Sequence, residues 1–106
     1  MFVKIYQYHI QQDKVEEYLS IQEKASEIYS KYLNFHTMYI NSKDDETKWI
    51  EISRYADEKE YNKSMTIINE QKEIQELFAR FQYLLVTDKK EIWEEDFIEK
   101  REMGSL

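Results

Sequence analysis

Glu51 and Tyr6 are the side chains of this sequence whose type and setting best suit acid–base chemistry. Glu51 stands in the apolar run WIEIS, and Tyr6 stands in FVKIYQYHI. A carboxylate on an apolar strand face can have a raised pKa and act as a general base, while a nearby phenol can hold an oxyanion. A structural alternative for Glu51 is an ion pair with Lys4 or a position near the rim of the sheet. Glu51 and Tyr6 are therefore the candidate catalytic residues, with that alternative open.

His9 and His36 are the only histidines, and histidine titrates near neutrality without help from its surroundings. Side chains alternate between the two faces of a strand, which puts both histidines on the side of Ile5 and Met38 and opposite Tyr6. We interpret them as interface hydrogen-bonding groups rather than as catalysts.

Several other kinds of site are excluded by composition. None of the 106 residues is Cys or Pro, and Gly104 is the only glycine. This excludes thiolate chemistry, disulfides and glycine-rich phosphate loops. The net charge of −7 disfavours binding to nucleic acid or anionic membranes, and no apolar run approaches the roughly 18 residues of a membrane span. A cytoplasmic location is the default expectation.

An acidic run occupies residues 91–99, and it raises the question of a cation site. Strand alternation divides these carboxylates between two faces, so they cannot all converge on one ion. Charges that protect a sheet edge from aggregation explain the run better. We therefore expect no metal and no cofactor.

Seven elements must position the candidate residues. Period-two and period-3.6 patterns predict strands and helices in the order β-α-β-β-α-α-β. The strands lie at residues 2–10, 35–41, 47–55 and 91–99; the helices run from Asp13 to about Tyr32, from Asp57 through Ile68, and from Ile74 through Leu85. One layer of helices on a four-stranded antiparallel sheet, an α+β ferredoxin-like fold, satisfies that order.

Polar residues replace the missing glycines at the predicted helix ends. Asp13 and Asp57 are each followed three residues later by Glu, which resembles a capping box. Asn34 is predicted to end the first helix in the left-handed conformation that glycine usually supplies.

The predicted strands are apolar on both faces, although one helical layer can cover only one of them. In the first strand Phe2 and Tyr8 lie on one face, and Val3 and Ile5 lie on the other. A second copy packed sheet on sheet is the simplest cover, so we predict a homodimer.

The sequence resembles the antibiotic biosynthesis monooxygenase (ABM) family of dimeric α/β-barrel proteins. The resemblance covers about residues 2–99 and rests on the opening strand FVKIYQYHI, the helix start KVEEY at 14–18, and the stretch WIEISRYADE at 49–58. It implies one ABM-like domain over residues 1–100 with a C-terminal tail at 101–106.

The resemblance implies a ligand pocket between sheet and helices in each subunit. Tyr8 and Tyr55 share the side of Tyr6 and Glu51 and are candidate substrate contacts. Gln22 interrupts the apolar face of the first helix, where it could point into the pocket or lie at a solvated margin. The implied reaction is cofactor-free monooxygenation of an aromatic or enolic substrate, in which a carbanion reduces O₂. A non-catalytic ligand-binding or stress-associated dimer of the same fold is the alternative.

The sequence departs from the family pattern at several positions. A Glu common near the end of the third strand corresponds to Ser53. Haem-degrading relatives use an Asn, a Trp and a His at positions that correspond here to Tyr6, Ser64 and Phe78. Haem degradation is therefore not expected, and Ser64 and Phe78 are retained as candidate contacts for a different small hydrophobic or aromatic molecule.

Overall fold

The computed structural model describes all residues from Met1 to Leu106. It contains four strands, three α-helices and one short 3₁₀ turn. The strands are β1 (Phe2–His9), β2 (Phe35–Asn41), β3 (Lys48–Tyr55) and β4 (Trp93–Ile98); the helices are α1 (Val15–Tyr29), α2 (Glu58–Ile68) and α3 (Lys72–Gln82), with the 3₁₀ turn at Gln12–Lys14. The strands form one antiparallel sheet in the order β2-β3-β1-β4. The predicted α+β ferredoxin-like fold is confirmed.

The two ends of α1 differ from the prediction. Asp13 lies inside the 3₁₀ turn and α1 begins only at Val15, without a side-chain cap, so the predicted Asp13 cap is wrong. The helix ends at Tyr29 rather than near Tyr32. No residue other than glycine has a positive φ angle, so the left-handed conformation predicted for Asn34 is also wrong. Backbone hydrogen bonds from residues 31–33 to Ile28 and Tyr29 complete this turn instead.

The cap predicted at Asp57 is confirmed. Its Oδ1 accepts a hydrogen bond from the backbone N–H of Glu60 at 2.7 Å, which satisfies one of the free donors at the start of α2. In contrast, α3 ends at Gln82, so Leu84 and Leu85 lie beyond the helix. Both are nevertheless buried, and Leu85 forms a β-bridge with Ile10.

The core lies between one face of the sheet and the helical layer. It is formed by large apolar and aromatic side chains from every helix, from β1 and β3, and from the segments that follow β1 and α3: Tyr8, Ile10, Tyr18, Ile21, Ile28, Trp49, Ile68, Ile74, Leu77, Leu84 and Leu85. Tyr8 meets Tyr18 and Phe81 edge to face, with ring centroids 5.8 and 5.0 Å apart. These ring contacts join β1 to α1 and to α3.

No helix of the protein is both long enough and apolar enough to cross a membrane.

Candidate functional site

A cavity of about 350 Å³ lies between the sheet and helices α1 and α3. This volume falls within the usual range for small-molecule sites. Its lining is mostly apolar or aromatic: Tyr6, Tyr8, Ile21, Gln22, Ala25, Tyr29, Glu51, Ile74, Leu77, Phe78, Phe81, Ile92 and Glu94. Glu51 and Glu94 are its only charged lining residues.

Glu51 reaches this cavity from the middle of β3. The sheet register pairs it with Tyr6 of β1 and with Tyr39 of β2, so the three side chains share the face that packs against the helices. Tyr8 donates its hydroxyl hydrogen to Glu51 Oε1 at 2.8 Å. Tyr8 is the only side-chain hydrogen-bond partner of this carboxylate, which leaves Oε2 available to a ligand.

A second tyrosine extends this hydrogen bond into the core. The hydroxyl oxygens of Tyr8 and Tyr18 are 2.7 Å apart. A phenol has one hydrogen, and Tyr8 gives its hydrogen to ionised Glu51, so Tyr18 must be the donor of the second bond. The chain therefore runs from Tyr18 to Tyr8 to Glu51. Because Tyr18 is fully buried, this chain holds the carboxylate in place and does not lead protons to solvent.

The surroundings of Glu51 place its titration near neutral pH. Burial raises the pKa of Glu51 to about 7, and the hydrogen bond from Tyr8 opposes that rise. Burial also raises the pKa values of Tyr6, Tyr8 and Tyr39 well above their ordinary value. Near neutrality these phenols keep their hydrogens, and the carboxylate can exchange a proton.

Lys4 does not pair with Glu51, so the ion-pair alternative for Glu51 is wrong. The Lys4 ammonium lies 2.6 Å from Asp96 Oδ1 and 3.0 Å from Glu94 Oε2, both on the neighbouring strand β4. The rings of Phe2, Tyr6 and Tyr61 lie 5.3 to 5.9 Å from it. This cluster fixes Glu94 at the cavity wall.

Three of the five predicted substrate contacts line this cavity together with Glu51 and Tyr6: Tyr8, Gln22 and Phe78. Gln22 Oε1 accepts a hydrogen bond from Tyr39 at 3.2 Å, so Gln22 lies at the cavity rather than at a solvated margin.

The remaining two predicted contacts lie elsewhere. Tyr55 lines an adjoining cavity of about 60 Å³, whose walls also include Tyr6 and Glu51. Ser64 lies outside both cavities, and its hydroxyl donates to the backbone oxygen of Tyr32. The short helix that carries Ser64 thus packs this side chain against the α1–β2 connection.

Tyr18 and Glu94 belong to the site but were not among the predicted site residues. The spacing of Tyr18 predicted a core position on α1, but spacing does not reveal where its hydroxyl points. Glu94 was interpreted as an edge charge. The register of β4, which pairs Glu94 with Tyr6, is what brings it to the cavity.

The histidines lie outside this cavity. His9 Nδ1 is 2.9 Å from the Thr47 hydroxyl and 3.7 Å from a carboxylate oxygen of Asp45, while His36 is exposed on β2. The chain contains no group of three or more His, Cys, Asp or Glu side chains that could hold a metal ion.

No protein-family profile and no curated protein sequence matches this chain. Solved structures match its fold over nearly the whole length. An uncharacterized NIPSNAP domain protein from Burkholderia xenovorans matches with a TM-score of 0.74 and 15% identity, covering 99% of this chain and 100% of its own. SnoaB, a cofactor-independent oxygenase from Streptomyces nogalater, has a TM-score of 0.74 and 8% identity, covering 98% and 97% of the two chains.

A further structure, described as an antibiotic biosynthesis monooxygenase, has a TM-score of 0.69 and 12% identity, covering 95% of this chain and 100% of its own. The protein therefore has the fold shared by NIPSNAP and ABM-like proteins. At these identities the likeness shows the fold alone.

Proposed function

We propose that this protein binds an aromatic or enolic small molecule in the cavity beside Glu51 and oxygenates it as a cofactor-independent monooxygenase. The observation that carries the proposal is the Glu51 carboxylate. It lies in an aromatic cavity with a pKa of about 7, and only one of its two oxygens is occupied by a protein donor. The fold shared with an oxygenase described as cofactor-independent supports the same reaction class.

In the proposed reaction, Glu51 Oε2 removes one proton from an acidic CH₂ group of the substrate, and the second hydrogen of that carbon is retained until water is lost. Tyr6 donates a hydrogen bond to the substrate oxygen that carries the resulting enolate charge, because the hydrogen of Tyr8 is already given to Glu51. The carbanion transfers one electron to O₂, and the radical pair then forms a C–O bond. The proton held by Glu51 completes a hydroperoxide, and loss of water from it leaves a ketone. One O₂ is thus consumed for each water and each ketone formed.

Oxygen uptake with an anthrone-type substrate tests this proposal. Glu51→Gln keeps the shape of the side chain but removes the base, and it should lower kcat by at least about 100-fold. Tyr6→Phe should lower kcat less, because one hydrogen bond to the enolate is lost. Glu95→Gln is the matched control, since the register opposes Glu95 to Ile5 on the other face of the sheet. Full activity in Glu51→Gln would refute the assigned base.

A non-catalytic ligand-binding protein is the second candidate. Ser53 stands where the resemblance leads one to expect a Glu, and its buried hydroxyl is hydrogen-bonded to Thr37 at 2.8 Å. That position therefore offers no base. Saturable binding of aromatic ligands without oxygen uptake would favour this candidate, and a stress-associated role would then be a question for cell experiments.

We further propose that two copies pack through the sheet face opposite the helices. This face exposes four large apolar side chains, which are 38 to 46% accessible: Met38, Ile40, Trp93 and Phe97. Exposure alternates along β2, where Met38 and Ile40 are exposed and Tyr39 between them is not. An apolar patch of this kind on a sheet indicates a surface that is covered in solution.

Light scattering coupled to size exclusion tests the proposed dimer. Ile40→Lys should shift the dimer to a monomer, because it puts a charge into the apolar face. Ile67→Lys is the matched control, since Ile67 is 44% accessible on α2. A wild-type monomer at micromolar concentration would contradict the proposal.

A further inference from the structure

The charges around the cavity indicate which ligands it can accept, and this inference rests on the cavity of the proposed function. Two carboxylates, Glu51 and Glu94, line the cavity, and no Lys, Arg or His side chain lines it or the smaller adjoining cavity. An anionic ligand in this mostly apolar cavity would therefore lack a counter-charge. Burial of an unpaired charge is strongly unfavourable.

The nearest buried cation, the Lys4 ammonium, does not supply the missing counter-charge. Lys4 is only 6% accessible, and its ammonium contacts both Glu94 and Asp96. One positive charge is thus shared between two negative charges, which leaves this cluster with a net charge of −1. Glu51 adds a further negative charge when it is ionised.

The rings offer a favourable surface for a flat, uncharged molecule. Tyr6, Tyr29, Phe78 and Phe81 line the cavity, and Glu51 Oε2 can accept a hydrogen bond from a ligand hydroxyl. We propose that the cavity selects neutral hydroxyaromatic or keto-aromatic molecules and excludes their carboxylated analogues, with Glu94 as a residue that determines this specificity.

Two probes with the same ring system, 1-naphthol and 1-naphthoate, test the selection by titration calorimetry at pH 8 in the absence of O₂. We expect naphthoate to bind at least about tenfold more weakly than naphthol. The cost of dehydrating the naphthoate carboxylate favours naphthol in any apolar cavity. The decisive quantity is therefore the change, from the wild type to each variant, in the ratio of naphthol affinity to naphthoate affinity.

Glu94→Gln leaves Lys4 to balance Asp96, and it should reduce the affinity ratio about three- to tenfold. Glu95→Gln removes the same formal charge from the same strand but on the opposite face, and it should leave the ratio unchanged. Urea unfolding of both variants will show whether the fold is retained.

Equal effects of Glu94→Gln and Glu95→Gln would overturn the proposal, because net charge rather than the cavity would then account for the ratio. Equal affinities of the two probes, or no binding of naphthol, would also overturn it. The assay involves no turnover, so selective binding by a protein without oxygenase activity would support charge selection while refuting the proposed reaction. An active oxygenase that binds both probes equally would refute charge selection while supporting the proposed reaction.

Discussion

Replacing Tyr8 with phenylalanine should raise the pKa of Glu51, because it removes the only side-chain hydrogen bond that this carboxylate accepts. A hydrogen bond to a charged group is worth about 1.5–3 kcal/mol, and one pKa unit corresponds to about 1.4 kcal/mol. The pKa of Glu51 should therefore rise from about 7 by roughly one to two units. Neutral phenols from β1, β2 and α1 surround Glu51. Lys4 on the same sheet face is already paired with Glu94 and Asp96, so no neighbouring cation compensates for the loss.

The titration of Glu51 can be followed through its side-chain carbonyl carbon by NMR in protein labelled at glutamate, with the resonance assigned by its absence in Glu51→Gln. Tyr39→Phe is the matched control. Tyr39 also packs against Tyr18, with ring centroids 6.2 Å apart, but its hydroxyl donates to Gln22 rather than to Glu51. The control should titrate as the wild type does.

An unchanged midpoint in Tyr8→Phe would refute the reasoning, and so would an equal shift in Tyr39→Phe. If the protein is an oxygenase that uses Glu51 as its base, the acidic limb of its kcat/KM profile should move to higher pH by the same amount in Tyr8→Phe. The NMR titration does not depend on activity, so it tests the hydrogen bond even if no substrate is oxygenated.

Three further predictions concern stability. The pKa of Glu51 rises from 4.5 to about 7 on folding, so the folded state binds this proton more tightly and stability falls as the pH increases between these values. Glu51→Gln should escape this loss, so urea unfolding should show its stability rising by about 2.5 kcal/mol relative to the wild type as the pH increases from 5 to 8. Asp57→Ala should cost about 1 kcal/mol by loss of the α2 cap, whereas Asp13→Ala, which removes no cap, should cost less than about 0.5 kcal/mol. Ile10 is fully buried, and Ile10→Ala should lower the free energy of unfolding by about 2–5 kcal/mol; a cost below 1 kcal/mol would contradict its place in the core.

The predicted helix ends show where local patterns are reliable. Asp57 caps α2 as predicted because the residues before it leave the strand directly and its side chain meets the first free N–H groups. Asp13 has the same spacing to a following Glu, yet the 3₁₀ turn delays the start of α1 until Val15. A capping pattern specifies the chemistry of a helix start, but the path of the preceding loop decides which residue uses it.

The candidate site was likewise predictable only in part from local sequence patterns. Alternation was enough to put Tyr6 with Tyr8 on one face of β1 and Glu51 with Tyr55 on one face of β3, because side chains of a strand repeat with period two. The register between the two strands decided that these two faces are the same. Alternation did not distinguish an ion pair between Glu51 and Lys4 from a free carboxylate. The pairing of β4 with β1 decided that question, since it brings Glu94 and Asp96 to Lys4.

The sequence by itself determined the order of the elements, the α+β ferredoxin-like fold and which residues of one strand share a face, since these follow from local periodicity. The tertiary structure decided which side chains meet across that face: the hydrogen-bonded chain from Tyr18 through Tyr8 to Glu51, and the placement of Glu94 at the cavity wall. These contacts join residues far apart in the chain, and they depend on strand register and helix packing, which local spacing does not encode. The sheet-to-sheet dimer stays a prediction, because it depends on a second chain.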